Sequence, residues 1–299
     1  MKKLLALLLV LMMSFVPLAC SSAGEQARVM TSFYPIYIFA LNVFDGIDGI
    51  SVECMTAPQT GCLHDYQLVV SDMMKLADSD MMIVCGAGME SYLPDISRQF
   101  AQLPIVDCSK GIGLIEESCE DDHAHESHEH SVNPHTWLDI ENAIRIVDTI
   151  EESAKQQFPS VSPQIEENAR AYKDRLSALK TEFDQQLQHF DGEKIITFHE
   201  AFPYFAHAYG LEIVAVIAQE HDEALSPSQI ASVIKIVEEN NLPPLFTEPQ
   251  YASSAAQTIA AETGAKLFEL DPIVTGEPSL FAYEDGMRKN LNTLLEAFQ

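Results

Sequence analysis

The sequence has few basic residues. It contains 17 lysines and arginines against 45 aspartates and glutamates, and its formal net charge is −28 at pH 7. A nucleic-acid-binding protein needs a basic surface to displace the counterions of the phosphates. The shortage of basic residues therefore excludes nucleic acid as an expected partner. The excess of carboxylates favours solubility and attracts cations.

Cysteine is also scarce, and no CxxC pairs indicate a structural zinc knuckle. Besides Cys20, the chain has five cysteines: Cys54, Cys62, Cys85, Cys108 and Cys119. An odd number leaves at least one of them unpaired within the chain. A disulfide could join Cys54 to Cys62, or Cys85 to Cys108, and the sequence alone does not choose between these pairings.

Only one long hydrophobic run occurs, and it lies at the amino terminus. Lys2 and Lys3 precede the apolar residues 4–13, and small residues follow near Ala19, which is the layout of a secretory signal peptide. No later segment reaches the roughly 18–20 apolar residues that a spanning helix needs. The sequence predicts an exported protein with a signal peptide at residues 1–19, so another protein must form any path across the membrane.

Cys20 stands where a lipoprotein signal places its acylated cysteine. Pro17 and Leu18 depart from the usual pattern of leucine, two small residues and cysteine, so cleavage after Ala23 is the alternative. We expect lipidation, and two acyl chains on Cys20 would anchor a soluble domain to a membrane surface. The predicted location is extracytoplasmic, either anchored to the cell membrane through Cys20 or periplasmic.

Short apolar runs alternate with helical patterns, and they do so twice along the chain. The predicted strands are 28–33, 49–55, 80–86, 103–108, 194–198, 211–217, 244–248 and 265–270. Among the helices between them, one has Ser226 as a natural N-cap and Pro227 in its first turn. Strands that alternate with helices form parallel sheets covered on both faces. The predicted fold class is α/β, with two βα lobes that each have a core.

A long apolar stripe lies between the two lobes. Ser162 as an N-cap and Pro163 at the first helical position predict a helix start. Apolar residues then recur every three or four positions from Ile165 to Phe190. At 1.5 Å per residue this helix would be about 40 Å long and would join both lobes rigidly. The predicted domains are an amino-terminal lobe at 20–161 with a histidine-rich loop at 121–130, a linking helix at 162–190, and a carboxy-terminal lobe at 191–299.

Four residues lie where ligands bind in parallel βα folds, beyond the carboxyl ends of the strands. His64 follows the second strand, His199 follows the fifth, and Asp271 ends the eighth. His135 precedes a helix that begins near Ile140. Three imidazoles and one carboxylate match the ligands of tetrahedral zinc.

Four short segments surround these residues. They read Asn-Pro-His-Thr-Trp at 133–137, Gly-Cys-Leu-His-Asp-Tyr at 61–66, Thr-Phe-His-Glu-Ala-Phe-Pro-Tyr-Phe at 197–205 and Leu-Asp-Pro at 270–272. They resemble segments of the zinc- and manganese-binding proteins of bacterial ABC importers, and the first is the most specific. The export signal, the linking helix and the acidic histidine-rich run fit the same family. The resemblance covers essentially the whole mature chain and implies that His64, His135, His199 and Asp271 bind the metal in the cleft between the lobes.

The segment around His64 departs from the family pattern, which commonly reads Pro-His-Asp-Tyr-Glu-Pro. Here residues 62–63 are Cys-Leu and residues 67–68 are Gln-Leu. Ligation by the Cys62 thiolate is the minor alternative to a disulfide or a buried thiol. Glu248 either orients a ligand imidazole through its second nitrogen or has a structural role, and the sequence leaves both open.

His199 favours zinc, because the zinc proteins of this family resemble the chain in having histidine there, whereas manganese proteins tend to have a carboxylate. Nitrogen ligands suit zinc, and carboxylate-rich sites suit manganese. The resemblance implies a monomeric binding protein that captures Zn(II) as its transported ligand and delivers it to an ABC permease and its ATPase subunit. A manganese-binding protein of the same importer class is the alternative, and a role in cell adhesion is compatible with either.

A zinc hydrolase is the alternative from a different class. His199 and Glu200 begin like HExxH, but Pro203 stands where that motif needs histidine and would disrupt its helix. Four protein ligands also close the coordination position that a catalytic zinc keeps for water. We therefore expect no enzymatic activity. The chain has no GxxxxGK[ST] sequence either, so the ATPase must be a separate protein.

The segment 121–130 has no apolar face that could pack against a core. Its four histidines, which alternate with aspartate and glutamate, are His123, His125, His128 and His130. We predict an accessory metal loop that collects or senses zinc and binds it more weakly than a preorganised site, because a flexible segment must first be ordered. A plain solvated linker is the alternative.

Overall fold

The computed structural model describes residues 26–57, 63, 66–116, 132–217, 225–241, 243–250 and 254–299. The predicted signal peptide, Cys20, His64 and the segment 121–130 lie outside these residues, so the predictions about them stay predictions. Within the described part of the chain, no helix has the length and apolar character that crossing a membrane requires.

The amino-terminal lobe contains a four-stranded parallel sheet with the strand order β2-β1-β3-β4. Its strands are β1 (Ala27–Thr31), β2 (Ile50–Cys54), β3 (Met81–Val84) and β4 (Ile105–Asp107). Its helices are α1 (Tyr34–Val43), α2 (Val70–Ala77), α3 (Leu93–Gln99) and α4 (Ile140–Gln157). The start of α4 at Ile140 agrees with the sequence, because Asp139 caps it by accepting from the backbone N–H of Glu141.

The long helix α5 (Ser162–Gln186) follows, and then the carboxy-terminal lobe repeats the pattern with the order β6-β5-β7-β8. Its strands are β5 (Lys194–Thr197), β6 (Glu212–Val216), β7 (Leu245–Thr247) and β8 (Leu267–Glu269). Its helices are α6 (Pro203–Tyr209), α7 (Pro227–Glu239), α8 (Ser254–Thr263) and α9 (Ala282–Ala297). Ser226 caps α7 as predicted, in a reciprocal capping box with Gln229.

All eight predicted strands are confirmed, and each is shorter than its apolar run. An apolar run extends beyond the end of its strand because an apolar residue after the strand is also buried. Phe33 after β1 and Phe198 after β5 are examples. All pairings within the two sheets are parallel. The carboxyl ends of the strands therefore share one edge in each lobe, as the sequence predicts.

The predicted stripe on α5 is buried: Ile165, Ala169, Tyr172, Leu176, Leu179 and Phe183. The helix has 25 residues, which corresponds to about 38 Å. It begins at Ser162 itself, after a 3-10 turn at Pro159–Val161, so Ser162 is not its cap. It ends at Gln186, before the predicted end at residue 190, because Leu187 to Phe190 form a turn.

The main hydrophobic core continues from one lobe into the other. Phe39 of α1 lies 5.0 Å from Tyr283 of α9, and Phe183 of α5 lies 5.1 Å from Tyr209 of α6, measured between ring centroids. A second, smaller cluster surrounds Ile196 in the carboxy-terminal sheet. The expectation that each lobe has a separate core is therefore wrong for the amino-terminal lobe, because α5 and α9 bury apolar faces against both lobes.

Candidate functional site

His135 lies in the turn that connects the histidine-rich segment to α4. The side-chain oxygen of Asn133 accepts from the backbone N–H of His135 at 3.0 Å and lies 3.1 Å from its Nδ1. The residue is 1% exposed. Because an amide oxygen only accepts, Nδ1 of the neutral ring carries the proton and Nε2 carries the lone pair, which is the tautomer that coordinates a metal through Nε2.

His199 lies just beyond β5, where Glu248 contacts it. Oε1 of Glu248 lies 2.8 Å from Nδ1 of His199. The two residues meet because β5 and β7 are neighbours in the sheet. The Glu248 side chain is 1% exposed and that of His199 is 21% exposed. If Glu248 orients a ligand imidazole, it must contact the second nitrogen of that ring, and this contact meets that requirement.

The two imidazoles meet although they belong to different lobes. The ring centroids of His135 and His199 are 5.1 Å apart, and the ring planes are at 89° to each other. The structure thus brings together two of the four predicted ligands. In both rings a hydrogen-bonding oxygen lies beside Nδ1, so Nε2 is the nitrogen through which either ring could coordinate a metal.

Asp271 lies beyond β8, at the same edge of the carboxy-terminal sheet as His199. Asn290 holds its backbone from both sides: the Asn290 Oδ1 accepts from the Asp271 N–H at 2.8 Å, and the Asn290 Nδ2 donates to the Asp271 carbonyl at 2.7 Å. Oδ1 of Asp271 accepts from the N–H of Ile273 at 2.8 Å. Burial raises the pKa of Tyr34, and the carboxylates of Asp271 and Glu277 raise it further, so charge at this edge acts on the amino-terminal lobe.

No three histidine, cysteine, aspartate or glutamate side chains within the described ranges form a group that could hold a metal ion. His64 and Cys62 lie outside those ranges, as do His123, His125, His128 and His130. The complete set of His64, His135, His199 and Asp271 therefore stays a prediction.

The cysteines answer a question that the sequence left open. Cys54, Cys85 and Cys108 are free thiols, so neither considered disulfide forms. The Cys85 thiol donates to the carbonyl oxygen of Pro134 at 3.4 Å. Burial raises the pKa of both Cys85 and Cys108 well above the usual thiol range, so these are inert core residues.

Asn133 is a residue for which the sequence predicted no role. Its position two residues before His135, inside the most specific of the four segments, was the available signal. Only the folded chain shows that one amide oxygen contacts both the backbone and the ring of that histidine.

Comparisons with known proteins identify relatives of this chain. The zinc-binding lipoprotein AdcA of Streptococcus pneumoniae (strain TIGR4) is 29% identical over 307 residues, which cover 98% of this chain and 60% of AdcA. The chain thus spans about 60% of the length of this relative. The high-affinity zinc uptake system protein ZnuA of Bacillus subtilis is 28% identical over 290 residues, which cover 93% of this chain and 90% of ZnuA.

A solved structure has the same fold as this chain. The substrate-binding protein FpvC of Pseudomonas aeruginosa, in complex with Mn²⁺, superposes with a TM-score of 0.78 at 26% identity, covering 91% of this chain and 98% of FpvC. The profile of the family described as zinc-uptake complex component A, periplasmic, matches residues 29–297. Because this match spans both lobes and the linking helix, the chain belongs to the zinc-uptake complex component A family.

Proposed function

We propose that this protein binds Zn(II) outside the cytoplasmic membrane and delivers the ion to an ABC importer. The observation that carries the proposal is the edge-to-face pair of His135 and His199, one from each lobe, 5.1 Å apart. Two imidazoles that meet edge to face, one from each lobe, provide the nitrogen ligands that zinc favours. We assign His64 and Asp271 as the other two ligands.

The relatives support zinc as the cargo. AdcA is named as a zinc-binding lipoprotein and ZnuA as a high-affinity zinc uptake protein. The Mn²⁺ complex of FpvC makes manganese the second candidate. We favour zinc because a site with three imidazoles and one carboxylate is rich in nitrogen, and because zinc outranks manganese in intrinsic affinity for such ligands.

The proposed partners and location follow from this function. The protein is a monomer without enzymatic activity that passes zinc to a permease, which a separate ATPase drives. Lipidation at Cys20 anchors it at the outer face of the cytoplasmic membrane. The acidic charge of the chain, −28 before removal of the signal peptide, attracts the cation toward the cleft.

Competitive zinc titration and elemental analysis of the purified mature protein test the proposal. We expect one tightly bound zinc per chain. Replacing His64, His135 or His199 by alanine removes a direct ligand. The affinity should then fall by more than the roughly 10–100-fold that loss of a ligand's hydrogen-bonding partner costs. His207→Ala is the matched control, because His207 is exposed on α6 and should keep the wild-type affinity.

Two results would contradict the proposal. Wild-type zinc affinity in both His64→Ala and His135→Ala would exclude the assigned ligands. Hydrolysis of esters or peptides by the zinc-loaded protein, lost together with the zinc, would instead favour the hydrolase.

A further inference from the structure

Asn133 joins the two lobes beside the predicted ligands. Its Nδ2 donates to the carbonyl oxygen of Glu200 at 2.6 Å, and Glu200 is the residue that follows His199. Its Oδ1 accepts from the backbone of His135 and lies beside the ring nitrogen of that residue. Asn133 is 2% exposed, so water competes little for these bonds. One side chain therefore contacts the imidazole of one lobe and the loop that carries the imidazole of the other.

The backbone of Asn133 is held as firmly as its side chain. Its N–H donates to the carbonyl oxygen of Ile115 at 2.8 Å, and its carbonyl oxygen accepts from the hydroxyl of Tyr204 at 2.8 Å. The same hydroxyl accepts from the N–H of Ile115 at 3.0 Å. Tyr204 belongs to α6 of the carboxy-terminal lobe, so Asn133 is bound to that lobe through its backbone as well.

Trp137 makes the corresponding contact to the second loop. Its Nε1 donates to the carbonyl oxygen of Pro272 at 2.8 Å, and Pro272 follows Asp271. The indole is fully buried and packs edge-on against Phe33, with ring centroids 5.4 Å apart. The Trp137 carbonyl accepts from the hydroxyl of Tyr283 at 2.7 Å. The residue therefore links the sheet of its own lobe to the loop beyond β8.

These contacts share one pattern. The donors Asn133 and Trp137 flank His135 in the amino-terminal lobe, and each acceptor is the carbonyl oxygen of the residue after a predicted ligand of the other lobe. A bond to a backbone carbonyl holds a loop without occupying the side chain of the neighbouring ligand. The segment 133–137 thus carries one predicted ligand and contacts the loops of two others.

We propose that Asn133 and Trp137 are positioning residues that set the distance between the metal ligands of the two lobes. This inference rests on the function proposed above. A site whose ligands are held in place before binding loses less conformational freedom when the ion arrives, and displacement of a ligand by a fraction of an ångström weakens it. Since the two bonds also hold the lobes together at the cleft, their loss should mainly accelerate zinc release.

The experiment compares Asn133→Ala and Trp137→Phe with the wild-type protein. Zinc affinity is measured by competitive titration, and zinc release by stopped-flow mixing with a chelator. We expect each variant to bind zinc about 10–100-fold more weakly, with most of the change in the release rate. Trp137→Phe keeps an aromatic ring against Phe33 and removes only the N–H donor and part of the ring, so it should fold even if Asn133→Ala does not.

Asn168→Ala is the matched control for a general loss of stability. The Asn168 amide on α5 donates to the carbonyl oxygens of Val43 and Asp45. These lie at the end of α1 and between α1 and the start of β2, at the edge of the sheet opposite the carboxyl ends of the strands. This variant should lower the melting temperature of the zinc-free protein and leave zinc affinity and release unchanged.

A second readout is the nitrogen NMR spectrum of His135. We expect the Nδ1–H tautomer in the wild-type protein and a mixture of tautomers in Asn133→Ala.

The outcomes separate the inference from the proposed function. Suppose that the wild-type protein binds zinc tightly and that His135→Ala loses this tight binding. If a folded Asn133→Ala or Trp137→Phe variant then releases zinc at the wild-type rate, the substituted residue has no positioning role, and the proposed function stands. If the wild-type protein itself has no tight zinc site, the proposed function is wrong. If Asn168→Ala accelerates release as much as Asn133→Ala does, the effect is one of stability and the positioning role is wrong.

Discussion

Glu248 binds His199 across the ends of two neighbouring strands: the carboxylate Oε1 lies 2.8 Å from Nδ1, although 49 positions separate the residues in the sequence. A carboxylate on the far nitrogen of a ligand imidazole sets the ring orientation and raises the basicity of the coordinating nitrogen. The Glu248 side chain is almost completely buried, so solvent screens this contact little.

Replacing Glu248 should therefore weaken zinc binding without removing a ligand. We expect Glu248→Ala to lower the affinity about 10–100-fold. Glu248→Gln should have a smaller effect, because its amide oxygen still accepts from Nδ1. Competitive titration measures both. The control is Glu239→Gln, at the exposed end of α7. Unchanged affinity in Glu248→Ala would mean that the contact has only a structural role.

Zinc should stabilise the folded protein more than manganese does. A ligand that binds only the native state adds RT ln(1 + [L]/Kd), or about 4 kcal/mol at a thousandfold excess over Kd. Thermal melting with equal concentrations of either metal measures the difference. We expect a large upward shift of Tm with zinc and a smaller one with manganese. A larger shift with manganese would favour the alternative cargo.

Deleting residues 121–130 should leave the tight site intact. Glu116 and Val132, which lie on either side of this segment, form an isolated antiparallel bridge. The base of the shortened loop can therefore stay closed. We expect weak additional zinc binding to disappear from the titration and one tight site per chain to remain. Uptake by cells should suffer mainly when zinc is scarce. If the deletion removes the tight site while His135→Ala retains it, our separation of the two histidine groups is wrong.

The buried carboxyl of Glu90 should make stability depend on pH. It accepts from the N–H groups of Cys85 and Gly86 at 2.8 and 3.0 Å, and burial raises its pKa above the ordinary value of 4.5. Between the ordinary pKa of the unfolded state and the raised pKa of the native state, the native protein holds the Glu90 proton more tightly. Because unfolding then releases protons, the contribution of Glu90 is greatest below about pH 4.5 and is lost as the pH rises through the native pKa.

Urea unfolding of the zinc-free protein at several pH values tests this prediction. The free energy of unfolding of the wild type, relative to Glu90→Gln, should fall as the pH rises from about 4.5. The comparison cancels the contributions of the other carboxylates, which both proteins share. A difference that stays constant or grows with pH would show that the native state does not raise this pKa.

The architecture could be predicted from the sequence, because local patterns encode it. Alternating apolar runs and helical stripes predict eight strands in two parallel sheets, and the buried stripe from Ile165 to Phe183 identifies the long linking helix. The same alternation places His199 and Asp271 beyond the carboxyl ends of their strands. Such features depend on neighbours a few residues away, so periodicity and capping residues are sufficient to predict them.

Which side chains meet could not be predicted from the sequence and is seen in the folded chain. The 5.1 Å approach of His135 and His199, the hydrogen bond from His199 to Glu248 and the two lobe-bridging donors Asn133 and Trp137 all join residues far apart in the chain. The merging of the main core across both lobes is of the same kind. These contacts depend on how whole elements pack, and packing geometry has no period or local motif in the sequence from which it could be predicted.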